Sequence, residues 1–229
     1  MHWCFLTAFV CFVLYQIFEK ICGIKYYHCS NILFLMYGLS ITRAIEWYFY
    51  TNQDMFDFNR LGATMTWQEN IIVIITTGYF LFETPIAVIR KRNWYRTLHH
   101  ILCLEVTLPI LYFQRSGFDA LVCIWLGEFT TPFGYFICDA FDKPEKINSK
   151  WITINKIVFV SFFVLLRFII GSYVLYRIIY SNSLLMVKIG CSLFFVVNAF
   201  LFRDMMGEAR LMLNQDDPST LKQNLNFFI

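Results

Sequence analysis

A chain of 229 residues that is 58% hydrophobic and 20% aromatic, with only 15% charged residues and a mean hydropathy of +0.55, is too apolar for an ordinary soluble domain. Its formal net charge of +3 is small and is spent on membrane topology, so nucleic acid is not an expected partner. The bilayer is the expected solvent and the fold class is all-α, a polytopic membrane protein, because helices satisfy their own backbone amides in lipid.

A span needs roughly 20 mostly apolar residues. About seven stretches qualify in chain order: 3–18, 32–50, 71–89, 98–113, 118–137, 152–176 and 184–202. The first lacks a basic leader and a small-residue cleavage site, and reads as a retained span rather than a signal peptide. Trp67, Trp94 and Trp151 stand at span entrances, where an indole sits well. The first, third and fifth loops and the tail carry twelve Lys and Arg residues, among them Arg90, Lys91, Arg92 and Arg96; the second, fourth and sixth loops carry three, Arg60, Arg115 and Arg177. That asymmetry assigns the RKRNWYR loop and the C-terminus to the cytosol. The eight cysteines are scattered with no CxxC spacing, so neither a disulfide framework nor a metal site is expected.

Ionisable groups inside the spans carry the functional information, since each costs on the order of 2.5–3.5 kcal/mol at mid-bilayer and needs a partner, a cavity or a task. Arg43 and Glu46 are three apart in the second span and are expected to pair. Glu83, Glu105, Glu128 and Arg167 have no such local partner and are expected to face inward. In the fourth span His99, His100, Cys103 and Thr107 share a broad face, because offsets of three, four and seven bring side chains round together. In the fifth, Trp125, Glu128, Thr131 or Pro132, and Tyr135 form a second polar and aromatic stripe. Such stripes can wall one chamber opening toward the cytosol. The plainer reading of the two histidines is an interfacial pair bound to lipid phosphate or backbone carbonyls.

Three motifs in order and register, GYFLFET (Gly78 to Thr84), LHHILCLE (Leu98 to Glu105) and GEFTTPF (Gly127 to Phe133), resemble the TLC-domain family of multi-span membrane proteins. That family includes the ceramide synthases and the translocating-chain-associated membrane protein. Glu-x-Thr-Thr-Pro-Phe is similar to its smaller TLC-domain-containing subgroup, and LLRFIIG with Arg167 and VVNAFLF with Asn198 also look like family positions. The resemblance implies a six-helix bundle preceded by one further span. The expected organisation is an N-terminal span and cytosolic loop over 1–29, the TLC-like domain over 30–206 and a polar cytosolic tail over 207–229. The chain departs from the ceramide synthases, which carry an aspartate pair where it has Glu128 and Thr131, and it shows no DNA-binding-like module. Sphingoid-base acylation is thereby less expected than another form of lipid handling.

Moving an acyl group from a cytosolic thioester to a hydroxyl or amine needs a base or nucleophile that titrates near neutrality, as imidazole does. His99 and His100 are the candidate catalytic residues, with Glu128 as the carboxylate that holds the ring's tautomer and stabilises the imidazolium. Glu83, Thr131, Tyr135, Arg167 and Asn198 are the candidate substrate-binding residues. The expected function is acyl-CoA-dependent lipid acyl transfer in the endoplasmic reticulum membrane, with acyl-CoA as co-substrate, membrane lipids as partners and no prosthetic group or metal. The rival function is non-catalytic lipid binding that regulates membrane composition or protein biogenesis. A seven-helix receptor is disfavoured by the lack of Asp-Arg-Tyr and Asn-Pro-x-x-Tyr signals, and a di-iron desaturase by a total of four histidines. A single cysteine introduced at Arg92 is expected to react with an impermeant maleimide from the cytosolic face; labelling from the opposite face alone would reverse the orientation.

Overall fold

The computed structural model describes residues 2–21, 26–52, 57–89, 94–133 and 149–213. Their backbone is helical throughout apart from short connections. Helix α1 (His2–Gln16) runs into a π-helical turn at Ile17–Ile21 and is followed by α2 (Tyr26–Asn52), α3 (Trp67–Ile89), α4 (Trp94–Phe113) and α5 (Gly117–Glu128). Helix α6 (Ser149–Phe163), a π-helical segment (Val164–Ile170) and α7 (Gly171–Tyr180) then form one continuous rod, and α8 (Leu185–Leu213) closes the order. The seven expected rods are therefore present.

Four helical stretches among the described residues are long and apolar enough to cross a membrane: His2–Lys20, Trp67–Ile89, Ile154–Tyr180 and Leu185–Arg203; Thr97–Phe113 is a shorter apolar helix. Helix α2 is 27 residues long, but Arg43, Glu46 and its tyrosines lower its hydropathy. The fifth expected span was read as continuous over 118–137. Its α-helix ends at Glu128, a turn follows at Phe129 and Thr130, and Tyr135 lies outside the described residues. Pro132 contributes to this break, since it has no N–H to bond the Glu128 carbonyl.

Helix α5 is the inner rod, packed against α2, α3, α4, α7 and the π segment. It buries Phe118, Ala120, Leu121, Val122 and Leu126, whose contribution in lipid is van der Waals packing between helices rather than removal of apolar area from water. Helix α1 lies along α3 at Gly78, where an added Cβ would stand 2.5 Å from Thr7 and 2.6 Å from the Cys4 carbonyl oxygen. The periphery is the reverse of a soluble surface: Trp3, Phe5, Phe9, Trp47, Ile89, Ile157 and Ile169 are each more than half exposed. That belt suits lipid tails, not water. The Arg43–Glu46 pair forms as expected at 2.6 Å, and Trp125 Nε1 donates to Glu46 at 3.3 Å.

One end of the bundle is tied by three connecting segments. Met65 N donates to the Gln114 carbonyl at 2.9 Å and Ser116 N to the Ala63 carbonyl at 2.9 Å, flanking a bridge between Thr64 and Arg115. Arg115 Nη2 donates to the Gly62 carbonyl at 2.9 Å, Gly62 N to Asp119 Oδ1 at 3.0 Å, and Leu184 N to Ser116 Oγ at 3.2 Å. Thr66 and Glu69 form a capping box at the start of α3, Thr66 N donating to Glu69 Oε2 at 2.9 Å and Glu69 N to Thr66 Oγ1 at 3.3 Å. The other carboxylate oxygen of Glu69 accepts from Arg60 Nη2 at 2.6 Å and from the Tyr48 hydroxyl at 2.5 Å. On the positive-inside expectation read from the sequence, this tied end is the one assigned away from the cytosol. Glu69→Ala removes the carboxylate that accepts three hydrogen bonds and is expected to cost about 1.5–3 kcal/mol, the range for bonds to a charged group, read as a lower unfolding temperature in detergent. An unchanged transition would show that the tie contributes nothing to stability.

Candidate functional site

Arg167 sets the geometry of the interior. It sits in the middle of the π-helical segment Val164–Ile170, a wide turn of the kind that often marks a functional position in a helix. Its Nη1 donates to Asn198 Oδ1 of α8 at 2.7 Å and its Nη2 to the Gly127 carbonyl of α5 at 2.8 Å. Its guanidinium carbon lies 4.9 Å from the centre of the Phe163 ring. The Gly127 carbonyl is available because it belongs to the last turn of α5, where carbonyls lose their helical donors. The Thr130 hydroxyl also donates to it, at 3.1 Å. A cation at a helix C-terminus is favoured by the helix dipole as well. Arg167 Nε has no hydrogen-bond partner among the described residues.

Beside this link lies a cavity of about 120 Å³, walled by α4, α5, the π segment, α7 and α8, with Phe80 reaching it from α3. His99, Thr107, Glu128, Arg167 and Asn198 are among its polar residues, with Phe80, Leu126, Val174, Ile178 and Phe194 among its apolar ones. On α4 the lining runs from His99 to Thr107, about 12 Å along the helix at 1.5 Å per residue. The charged groups and the imidazole thus gather toward one end, and the part toward the tied loops is mostly apolar, with the Thr107 hydroxyl and the Cys123 and Cys191 thiols among its lining.

Glu128 is only 7% exposed and accepts a 2.7 Å hydrogen bond from the Thr131 hydroxyl. Thr131 therefore stands behind Glu128 rather than on the cavity wall. Helix α2 approaches this pair at Gly38, where an added Cβ would lie 2.7 Å from Thr131 Cγ2 and 3.2 Å from Glu128 Oε2. Gly127 is the opposite case, with none of the described residues within 4 Å of where its Cβ would be.

The two histidines part company. His99 is half-buried, lines the cavity and meets the Phe194 ring edge-on with centroids 5.0 Å apart. His100 is 3% exposed, is absent from the cavity wall and packs near Phe80 with centroids 5.4 Å apart. Glu83 is fully buried in α3 but likewise does not reach the cavity wall. Glu105, expected to face inward, is only half-buried and also off the wall. Of the eight candidate site residues, four share the cavity, Thr131 supports one of these, His100 and Glu83 are buried outside it, and Tyr135 falls outside the described residues.

Sequence reasoning missed the Gly127 carbonyl as an anchor for Arg167, and it missed Cys123 and Cys191, which face each other across the cavity wall. The first was foreshadowed by Thr-Thr-Pro just after Glu128, a helix-ending signal that leaves carbonyls unpaired. The second has no local signature, because the thiols come from helices far apart in the chain.

The two glycines give a paired test. Gly38→Ala forces Thr131 or Glu128 to move and is expected to destabilise by about 1–3 kcal/mol, as overpacking does. Gly127→Ala meets none of the described residues and is expected to be neutral or to stabilise by up to about 1 kcal/mol through helix propensity. Thermal unfolding of the two variants in detergent separates them, and equal transitions would contradict the packing described. Residues 22–206 match the family model described as the TLC domain. No curated protein matches the chain.

Proposed function

The chain belongs to the TLC-domain family, which makes it an integral membrane protein of lipid metabolism or regulation, and on that premise we propose that it is an acyl-CoA-dependent lipid acyltransferase. The observation that carries this reading is the cavity itself: an apolar slot with an imidazole, a carboxylate and a guanidinium gathered at one end. An acyl chain suits the slot, and the reacting thioester carbonyl belongs at the polar end. We assign the membrane to the endoplasmic reticulum, with membrane lipids and acyl-CoA as its partners.

His99 acts as the base. It takes the proton from an acceptor hydroxyl or amine as that atom bonds to the thioester carbonyl carbon, and it returns the proton to the departing CoA thiolate, so that ester or amide and free thiol form together. Glu128, on the same cavity, stabilises the imidazolium that exists between those two transfers. Arg167 Nε, buried with no acceptor among the described residues, is the donor assigned to oxygen on which negative charge develops. Asn198 orients Arg167, and Thr131 orients Glu128. His100, buried outside the cavity with its ring centroid 5.9 Å from that of His99, is assigned the role of packing against the base rather than of reacting.

Thr131 standing where ceramide synthases have an aspartate supports a second reading, in which the same slot binds lipid without turnover. The two separate in one assay, transfer of a labelled acyl group from acyl-CoA to membrane lipid by protein in nanodiscs. His99→Ala is expected to lower turnover by about 10²–10⁴, the usual contribution of a general base, and Glu128→Gln to lower it while preserving shape. Equal turnover by both variants and the unaltered protein, at equal amounts of folded protein, would remove the catalytic reading and leave the binding one.

A further inference from the structure

Cys123 of α5 and Cys191 of α8 both line the cavity, and their Sγ atoms lie 3.7 Å apart. Neither is in a disulfide. Helices α5 and α8 are not among the closely packed helix pairs, so this sulfur contact spans the space between two cavity walls. Cys123 comes six residues after Gly117 at the start of α5, and Cys191 six residues after Leu185 at the start of α8. Both thiols therefore sit about 9 Å along their helices from the tied end.

We infer that Cys123 and Cys191 form a redox-responsive dithiol that closes to a disulfide, stapling α5 to α8 and narrowing the cavity. This rests on the cavity's geometry and not on what the cavity binds. A disulfide requires sulfurs at about 2.05 Å, so closure from 3.7 Å draws the two walls together or turns both side chains across the slot. The oxidant is a small peroxide that reaches the thiols through the cavity. Cys123 or Cys191 attacks the peroxide oxygen to give a sulfenic acid and water, and the second thiol displaces the hydroxyl as another water; two thiols and one hydrogen peroxide become one disulfide and two waters. The half-burial of Cys123 gives that first step its access. The Lys and Arg asymmetry assigns the tied end to the side away from the cytosol, where compartments are more oxidising than the cytosol. The bond would bear on the polar groups also, because Cys191 and Asn198 are seven residues apart on one face of α8 and Asn198 holds Arg167.

The test uses full-length protein in membranes, treated with hydrogen peroxide, blocked with a thiol alkylator and digested without reduction. A peptide pair joined through Cys123 and Cys191 is expected, reversed by reductant and lost in Cys123→Ser and Cys191→Ser. Both thiols alkylated after peroxide, or Cys103 of the same cavity taking the place of either partner, would overturn the pairing. A photoactivatable fatty acid then reads the cavity. Its labelling of the protein is expected to fall severalfold on oxidation and to recover on reduction, with no fall in Cys191→Ser. Undiminished labelling while the disulfide is present would overturn the narrowing of the cavity, and it would leave the acyl-transfer reading to be judged by its own assay.

Discussion

A guanidinium inside an apolar bundle has to be surrounded by acceptors, and at Arg167 every nearby departure from regular helix serves that need. The π-helical segment widens the turn that carries it, the end of α5 frees the Gly127 carbonyl, and α8 contributes Asn198. Three rods are thereby joined through one side chain. In lipid the alternative to these bonds is an unsatisfied charge, whose cost is several times that of losing an ordinary hydrogen bond in water. The cavity follows from the same arrangement: holding three helices at the length of an arginine side chain keeps their backbones from closing together, and the remaining space is lined by what those helices carry.

The opposite end of the bundle solves a different problem. The segments joining α2 to α3, α4 to α5 and α7 to α8 bond to one another through backbone groups, with Arg115, Asp119 and Ser116 filling the gaps. Leu61, Gly62, Ser116 and Ser183 of these connections are buried, so their backbone groups need partners within the protein. Their pairing fixes where three helices begin, and the depth of Cys123, Cys191 and Thr107 is set from there. A rigid floor and a polar upper end make the slot directional, which is what distinguishes a site for a chain with one reactive head from a general apolar void.

The rods were legible in the sequence because lipid leaves only one way to satisfy a backbone, and hydropathy reports it directly. Arg43 and Glu46 were legible too, since their pairing depends on helical spacing within a single rod. The end of α5 at Glu128 was not read, although Thr-Thr-Pro signalled it, because the apolar run through Ile137 outweighed a local break. The site was legible as a set of residue types and only partly as a place. His99 and His100 are neighbours in the chain, yet a helix turns by about 100° per residue, and that turn separates a cavity-lining ring from a buried one. Glu83 and Glu128 looked alike as lone acids in apolar runs, and only packing tells which of them meets the cavity. The contact between Cys123 and Cys191 depends on how α5 and α8 lie against each other, a relation that no spacing along one helix contains.

Thr131 changes what Glu128 can do. Two carboxylates held together repel when both are charged, so such a pair tends to share one proton. A hydroxyl in that position brings a donor and no second charge, and the 2.7 Å bond to Glu128 Oε2 uses that donor while fixing the side chain's rotamer. Gly38 completes the seat by letting α2 close over both residues. The result is one carboxylate, oriented from behind and facing a cavity that also holds His99 and Arg167. Such a group is suited to stabilising positive charge that appears on a neighbour during a reaction, or to receiving the polar head of a bound lipid, and poorly suited to passing a proton back and forth with a twin. The chemistry to look for at this site is therefore a histidine that gains and loses a proton beside a carboxylate whose own orientation stays constant.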